Sequence, residues 1–182
     1  MLGVDNVHLI LGNAEDLDDF VLKDYSNAIL FYWRSVIGYC GREVDRKVLE
    51  KYYKVTKRNG KLFVLRQSSK NYLALLYRLL GYRTLYNLLD LGKYLMIEKR
   101  RYDYASLDEE IVWKFYRKNG NGSTFEDRIS MLIHVHSIDE LINIARDSGW
   151  VFNNAYSDIS PSIKEYDSTA VSYTLNIVFI KP

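Results

Sequence analysis

The 182-residue chain has a single cysteine, Cys40, and only two prolines. One thiol cannot make an intramolecular disulfide, and no Cys/His set has zinc-site spacing, so neither a disulfide framework nor a metal site is expected, and a reducing, cytoplasmic setting is. Charge of one sign is also missing. The net charge is +2, and Lys and Arg are scattered rather than gathered into a block, which gives nucleic-acid binding little support. There is no long apolar run: the richest region, Tyr72 to Ile97, carries Arg78, Arg83, Asp90 and Lys93 and falls short of the ~18 apolar residues of a membrane span. Asp5 follows Met1 closely, leaving no room for a charged leader and apolar signal segment. A soluble protein without a membrane partner is expected. Repeats, low-complexity tracts and linkers are absent too, so residues 1–182 are expected to form one domain.

With 48% apolar residues, the chain can bury one good core. "VHLILGNAEDL" places Val7, Leu9, Ile10 and Leu11 in a strand buried on both faces, the habit of parallel sheets, ending in a polar, acidic elbow. "NAILFYW" (Asn27–Trp33) is a second buried strand, stopped by a loop punctuated by Gly38 and Gly41. From Glu43 to Lys57, Val44, Val48, Leu49, Tyr52 and Val55 recur at helical spacing opposite a charged face. "KLFVLRQ" follows as a third buried strand. Strand, strand, helix, strand argues for a mostly parallel sheet covered by helices. Residues 71–97, rich in Leu and Tyr, read as two or three short helices, either packed on the sheet or closing over a pocket as a lid. "EEIVWKFYRKNGNGSTFEDRISMLIHVH" alternates apolar and polar residues around "NGNG", a hairpin. Residues 70–136 are thus expected to be an insertion of helices and a hairpin. Ser137 and Glu140 make a capping box for a helix that Gly149 closes, and "WVFNNAY" and "TAVSYTLNIVFI" end the chain as strands.

Taken together, "GNAEDL", "WRSVIGYCGREVDRKVLEKYYKVTKRNGKLFVL" and "HVHSIDELINIARDSGWVFNNAYSDIS...NIVFIKP" resemble the C-terminal two-thirds of a class I S-adenosylmethionine-dependent methyltransferase of the small-molecule type. In that family a strand ends in Gly-Asp-Ala-Glu/Asp-Leu, the next runs into a Ser-x-x-Gly-Tyr loop, an amphipathic helix leads through Lys-Pro-Gly-Gly into a further strand, and Arg-x-Tyr-Thr-x-x-Glu-Leu opens a late helix. The resemblance implies a partial Rossmann-like α/β sheet, mostly parallel with an antiparallel C-terminal strand, carrying a helical and β-hairpin insertion. It implies S-adenosylmethionine as cofactor and a small-molecule acceptor. It puts Asn13 on the exocyclic amine of adenine and the backbone N–H of Ala14 or Glu15 on a ring nitrogen. Trp33, Arg34 and Ser35, at the C-terminal end of the second strand where open α/β sheets place ligands, would lie beside the methionine part, and Tyr39 would line the substrate wall. His134 and His136 stand where the family has Arg and Tyr. Two apart on a strand they share a face, and either could take a proton from an acceptor. Bland alternatives stand beside each: Asn13 as a turn residue, Trp33 as core, Tyr39 as helix packing, the histidines as structural.

The departures are as informative. "KRNG" lacks the Pro and one Gly of the family's turn, and Asn13 replaces the usual Asp, removing the charge assistance of a carboxylate. No G-x-G-x-G occurs; the only close glycines, Gly120 and Gly122, sit in the hairpin turn. The family's first two strands, which carry the glycine-rich loop and the acid that holds the ribose, have no counterpart. Weak or no cofactor binding by the chain alone is therefore expected. So is a homodimer, or a second polypeptide, that covers the gap in the sheet. The competing reading is a non-catalytic methyltransferase-fold remnant serving as a protein interaction module.

Overall fold

The computed structural model describes residues 10–32, 37–39, 41–68, 73, 75, 77–79, 84–103, 105–106, 108–158, 163–167 and 174–182. A 3-10 turn, Ala14–Asp16, runs into the short helix α1 (Leu17–Phe20), and β1 (Ser26–Tyr32) follows. Helix α2 (Arg42–Val55) passes without a linker into β2 (Thr56–Ser68), Thr56 marking the change by donating its hydroxyl to Tyr52 O at 2.7 Å. Next come β3 (Thr84–Asp90), β4 (Tyr94–Tyr102), β5 (Asp108–Asn119) and β6 (Gly122–His134). Helix α3 (Ile138–Asp147), β7 (Val151–Asp158), the two-residue β8 (Lys164–Glu165) and β9 (Thr174–Ile180) complete the chain.

The central sheet has the order β1-β2-β9-β7-β8. β1 and β2 are parallel, and β9 runs antiparallel to both its neighbours, β2 and β7. That is the expected arrangement, with the C-terminal strand reversed. Helices α2 and α3 cover one face. On α2 the stripe Val48, Leu49, Tyr52 and Val55 is buried against Phe31, Leu62, Val64, Ile177 and Phe179, each such side chain contributing roughly 1.5–3 kcal/mol relative to exposure. Trp150 joins the two helices by donating from Nε1 to Leu49 O at 3.0 Å. The capping box of α3 forms as expected, Ser137 Oγ accepting from Glu140 N at 3.2 Å and Glu140 Oε2 from Ser137 N at 2.7 Å. Gly149, at φ +94°, lies just beyond the helix.

Two expectations are corrected. Helices expected over 71–97 are found only in its first part, where Leu73, Leu75 and Tyr77–Leu79 are helical; Thr84–Asp90 and Tyr94–Tyr102 are strands of a four-stranded antiparallel sheet, β3-β4-β5-β6. Leu and Tyr at helical spacing in "TLYNLLDLGKYLMI" also satisfy a hairpin, and the choice falls to the long ladder that β4 makes with β5, from Tyr94↔Arg117 to Tyr102↔Glu109. Gly92, at φ +77°, makes the turn, its N–H held by Asp90 Oδ1 at 2.9 Å. Second, Ile10 and Leu11 belong to no strand and Leu11 is fully exposed; Val7 to Leu9 lie outside the described residues. No strand pairs with the outer edge of β1 among the described residues, so these side chains have no sheet to pack on. Leu30, between the core-packed Ile29 and Phe31, points to the other face and is 59% exposed.

No helix among the described residues is long and apolar enough to cross a membrane.

Candidate functional site

The loop after β1 is tied to the end of the second sheet through Gly38. Its φ is +96°, and a Cβ there would meet His134 O at 2.5 Å, so only glycine fits. Gly38 O accepts from His134 N at 2.7 Å, while Gly38 N donates to Asp45 Oδ1 at 2.9 Å. The other oxygen of Asp45 lies 2.7 Å from His136 Nε2. Asp45, 1% exposed, thus joins the first turn of α2, the loop after β1 and the segment entering α3. All of this lies beyond the C-terminal end of β1, where open α/β sheets place their ligands.

His134 and His136 share one side, their rings 4.7 Å apart and edge to face. His134 Nδ1 is held by Asp108 Oδ1 at 2.8 Å, and its Nε2 stands 3.5 Å from Glu140 Oε1. Each of these carboxylates holds one ring nitrogen, Asp108 the Nδ1 of His134 and Asp45 the Nε2 of His136, which leaves His134 Nε2 facing Glu140 and His136 Nδ1 on the other edge of its ring. His136 Nδ1 is buried and has no hydrogen-bond partner among the described residues. Burial pushes the Glu140 carboxyl up, but the backbone N–H and hydroxyl of Ser137 outweigh it and hold Glu140 below the usual carboxylate range. A ring nitrogen from each histidine and a Glu140 carboxylate oxygen lie within 4.8 Å of one another. Such a group can accept a proton or a cation.

The acidic elbow sits against α2, with Asp18 Oδ1 2.5 Å from Lys51 Nζ. Asn13 is the N-cap of the 3-10 turn, its Oδ1 accepting from Glu15 N at 3.3 Å and its carbonyl from Asp16 N at 3.0 Å. Ala14 packs on the core. Tyr39, next to Gly38, is 38% exposed. Trp33, Arg34 and Ser35 lie outside the described residues. The structure therefore brings Tyr39, His134 and His136 to one junction through Gly38 and sets Asn13, Ala14 and Glu15 on the elbow. A basic depression that includes Lys23 and Lys57 opens at the opposite end of β1, where the Lys181 ammonium is already committed to Asp24 Oδ1, Tyr53 O and Thr56 O.

No family model and no curated protein sequence matches the chain. Solved structures do. A methyltransferase from Clostridium acetobutylicum superposes with a TM-score of 0.69 at 9% identity over 95% of this chain and 64% of its own. CcbJ from Streptomyces caelestis gives 0.69 at 13% identity, covering 93% and 62%, and CalS10, an amino pentose methyltransferase from Micromonospora echinaspora solved with S-adenosylmethionine, gives 0.62 at 10% identity, covering 98% and 66%. The fold is that of the S-adenosylmethionine-dependent methyltransferases. The chain spans under two-thirds of those structures' length.

Asn13 Oδ1 spends one lone pair on a long contact with Glu15 N and keeps a second for an amine donor. Three contributors to the junction are not evident in the sequence. Asp45 stands three and four residues before Val48 and Leu49, a carboxylate on the apolar stripe of α2, and that misplacement was its signal. Asp108 carries no local signal, because its partner is 26 residues away. Glu140 is legible as a cap, but its second oxygen facing His134 is not.

Proposed function

We propose that this chain is the acceptor-side portion of an S-adenosylmethionine-dependent methyltransferase acting on a small molecule. Asn13, Ala14 and Glu15 hold the adenine, Trp33, Arg34 and Ser35 flank the methionine part, and Tyr39, His134 and His136 line the acceptor side. One observation carries the reading: Gly38 clamps the loop after β1 onto His134, which sets both histidines beyond the C-terminal end of a parallel strand in a methyltransferase fold. Neighbours that include an amino pentose methyltransferase and a sugar N-methyltransferase support a small polar acceptor.

The cofactor, when bound, supplies an electrophilic methyl group. The chain's own work is to align the acceptor, exclude water and remove a proton from an acceptor hydroxyl or ammonium. His134 suits the proton transfer, since its Nε2 makes only a 3.5 Å contact with Glu140 Oε1, its side chain is 24% exposed, and Asp108 on Nδ1 stabilises the imidazolium that forms. His136, 4% exposed and held by Asp45, positions the His134 ring from behind.

The test is release of S-adenosylhomocysteine, followed by mass spectrometry, when the protein is given S-adenosylmethionine and a panel of amino sugars and small amines. His134→Ala should lower turnover about 100-fold while leaving thermal unfolding nearly unchanged. Full activity in that variant removes His134 from the mechanism.

The edge of β1, with which no strand pairs among the described residues, and the exposed Leu30 favour a second polypeptide, or a second copy, against this edge. They equally suit the competing reading of a methyltransferase-fold interaction module. A chain that captures a partner through β1 yet forms no S-adenosylhomocysteine with any acceptor would favour that module.

A further inference from the structure

The junction of β6 and α3 holds more order than proton transfer needs. On each histidine a carboxylate anchors one ring nitrogen and leaves the other for a ligand, Asp108 on His134 Nδ1 at 2.8 Å and Asp45 on His136 Nε2 at 2.7 Å. Glu140 behaves alike: Oε2 accepts from Ser137 N at 2.7 Å and Oε1 faces His134 Nε2 at 3.5 Å. Outer carboxylates that orient imidazoles and raise their basicity, with backbone N–H groups that orient a carboxylate, are the supporting shell of protein metal centres.

We infer that His134 Nε2, His136 Nδ1 and Glu140 Oε1 form a binding site for one divalent transition-metal ion. Two independent observations point to a ligand. The three residues offer donor atoms within 4.8 Å of one another. In addition, His136 Nδ1 has no hydrogen-bond partner among the described residues, on a side chain only 4% exposed, and a buried polar group left unsatisfied is costly. Ligands about 2.1 Å from a tetrahedral metal stand roughly 3.4 Å apart, which the 3.5 Å from His134 to Glu140 matches. Two imidazoles and one carboxylate select zinc, cobalt, nickel or ferrous ions over magnesium or calcium, which prefer all-oxygen shells. With three protein donors a fourth position stays open, and the partial exposure of His134 gives an entry path. Metal binding and proton acceptance use the same His134 lone pair, so they are alternative states of one site, and metal binding does not depend on methyl transfer.

The test is titration of the full chain with cobalt(II) alone, read by visible ligand-field absorption, followed by competition with zinc. The expected result is one cobalt per chain, displaced by zinc and not by magnesium. His134→Ala and Glu140→Gln should each weaken binding at least about tenfold, and Asp108→Asn, acting through His134, by about 10–100-fold. Gln at position 140 can still accept from Ser137 N and keep the helix cap, and thermal unfolding of each variant verifies that it is folded. His8→Ala, at the only other histidine, should change nothing. Absence of a cobalt spectrum, or binding that survives both His134→Ala and Glu140→Gln or is lost in His8→Ala, overturns the site.

Discussion

Asp45 Oδ2 lies 2.7 Å from His136 Nε2, and both side chains are almost wholly buried. The pair links the first turn of α2 to the entry of α3 across 91 residues of sequence. Asp45→Ala leaves the buried His136 Nε2 and the Gly38 N–H without their partner, and each buried polar group left unsatisfied costs about 1–3 kcal/mol. Asp45→Asn keeps an oxygen for one of them and should lose clearly less. Urea unfolding of the two variants checks this; equal losses would mean the pair is not a structural link.

Gly38 and Gly41 both have positive φ, +96° and +89°, but only Gly38 faces an obstacle, His134 O at 2.5 Å from a built Cβ, whereas Gly41 has nothing within 4 Å. Gly41→Ala should therefore show only backbone strain, about 1–3 kcal/mol. Gly38→Ala adds a clash with main chain, so its loss should exceed that of Gly41→Ala, and it should also break the His134 N to Gly38 O bond. Amide hydrogen exchange at His134 reads the second effect. Unchanged protection there would show that the loop and β6 are not coupled.

Acid sensitivity should trace to Glu98 in β4, 6% exposed. Burial pushes its carboxyl up, but donors from Arg100 Nη2, Asn87 Nδ2 and Trp113 Nε1, at 2.9, 2.8 and 2.7 Å, prevail and bring it from 4.5 down to about 2. A lowered folded-state value gives stability that is present above pH ~4.5 and is lost as pH falls towards 2, of order 3 kcal/mol. Glu98→Gln should lower stability at pH 7 and flatten its decline between pH 4.5 and 2, measured by urea unfolding across that range. A variant with the parent's slope would assign the acid limb to other carboxylates.

Much of this was legible in the sequence. The α2 stripe, the capping box at Ser137 and Glu140 and the Gly-closed end of α3 follow from local periodicity and cap chemistry, and the order of soft motifs pointed to the methyltransferase fold, with it the reversed C-terminal strand. Residues 84–97 misled because an apolar hairpin with Leu and Tyr at mixed spacing satisfies both periods, and the decision lies in pairing with β5. The histidines were legible as a pair, but their carboxylate partners were not: Asp108 and Asp45 come from 26 and 91 residues away, a distance that only the fold closes.

The edge of β1 should govern assembly. Leu30, 59% exposed beside a strand edge that no strand pairs among the described residues, would favour contact with another chain over water. Light scattering across a dilution series should show a dimer or larger species that Leu30→Lys shifts to monomer; a monomer for both forms would contradict the proposed partner.

NMR titration with S-adenosylhomocysteine tests the proposal that this chain supplies only part of a methyltransferase's cofactor contacts. Without the glycine-rich loop and the ribose acid several hydrogen bonds of about 1 kcal/mol each are missing, so dissociation constants weaker than about 100 µM are predicted, with amide shifts concentrated at Asn13–Glu15 and Ile37–Tyr39 and reduced by Asn13→Ala. Low-micromolar binding, or millimolar ligand that leaves those amides unmoved, would contradict the account.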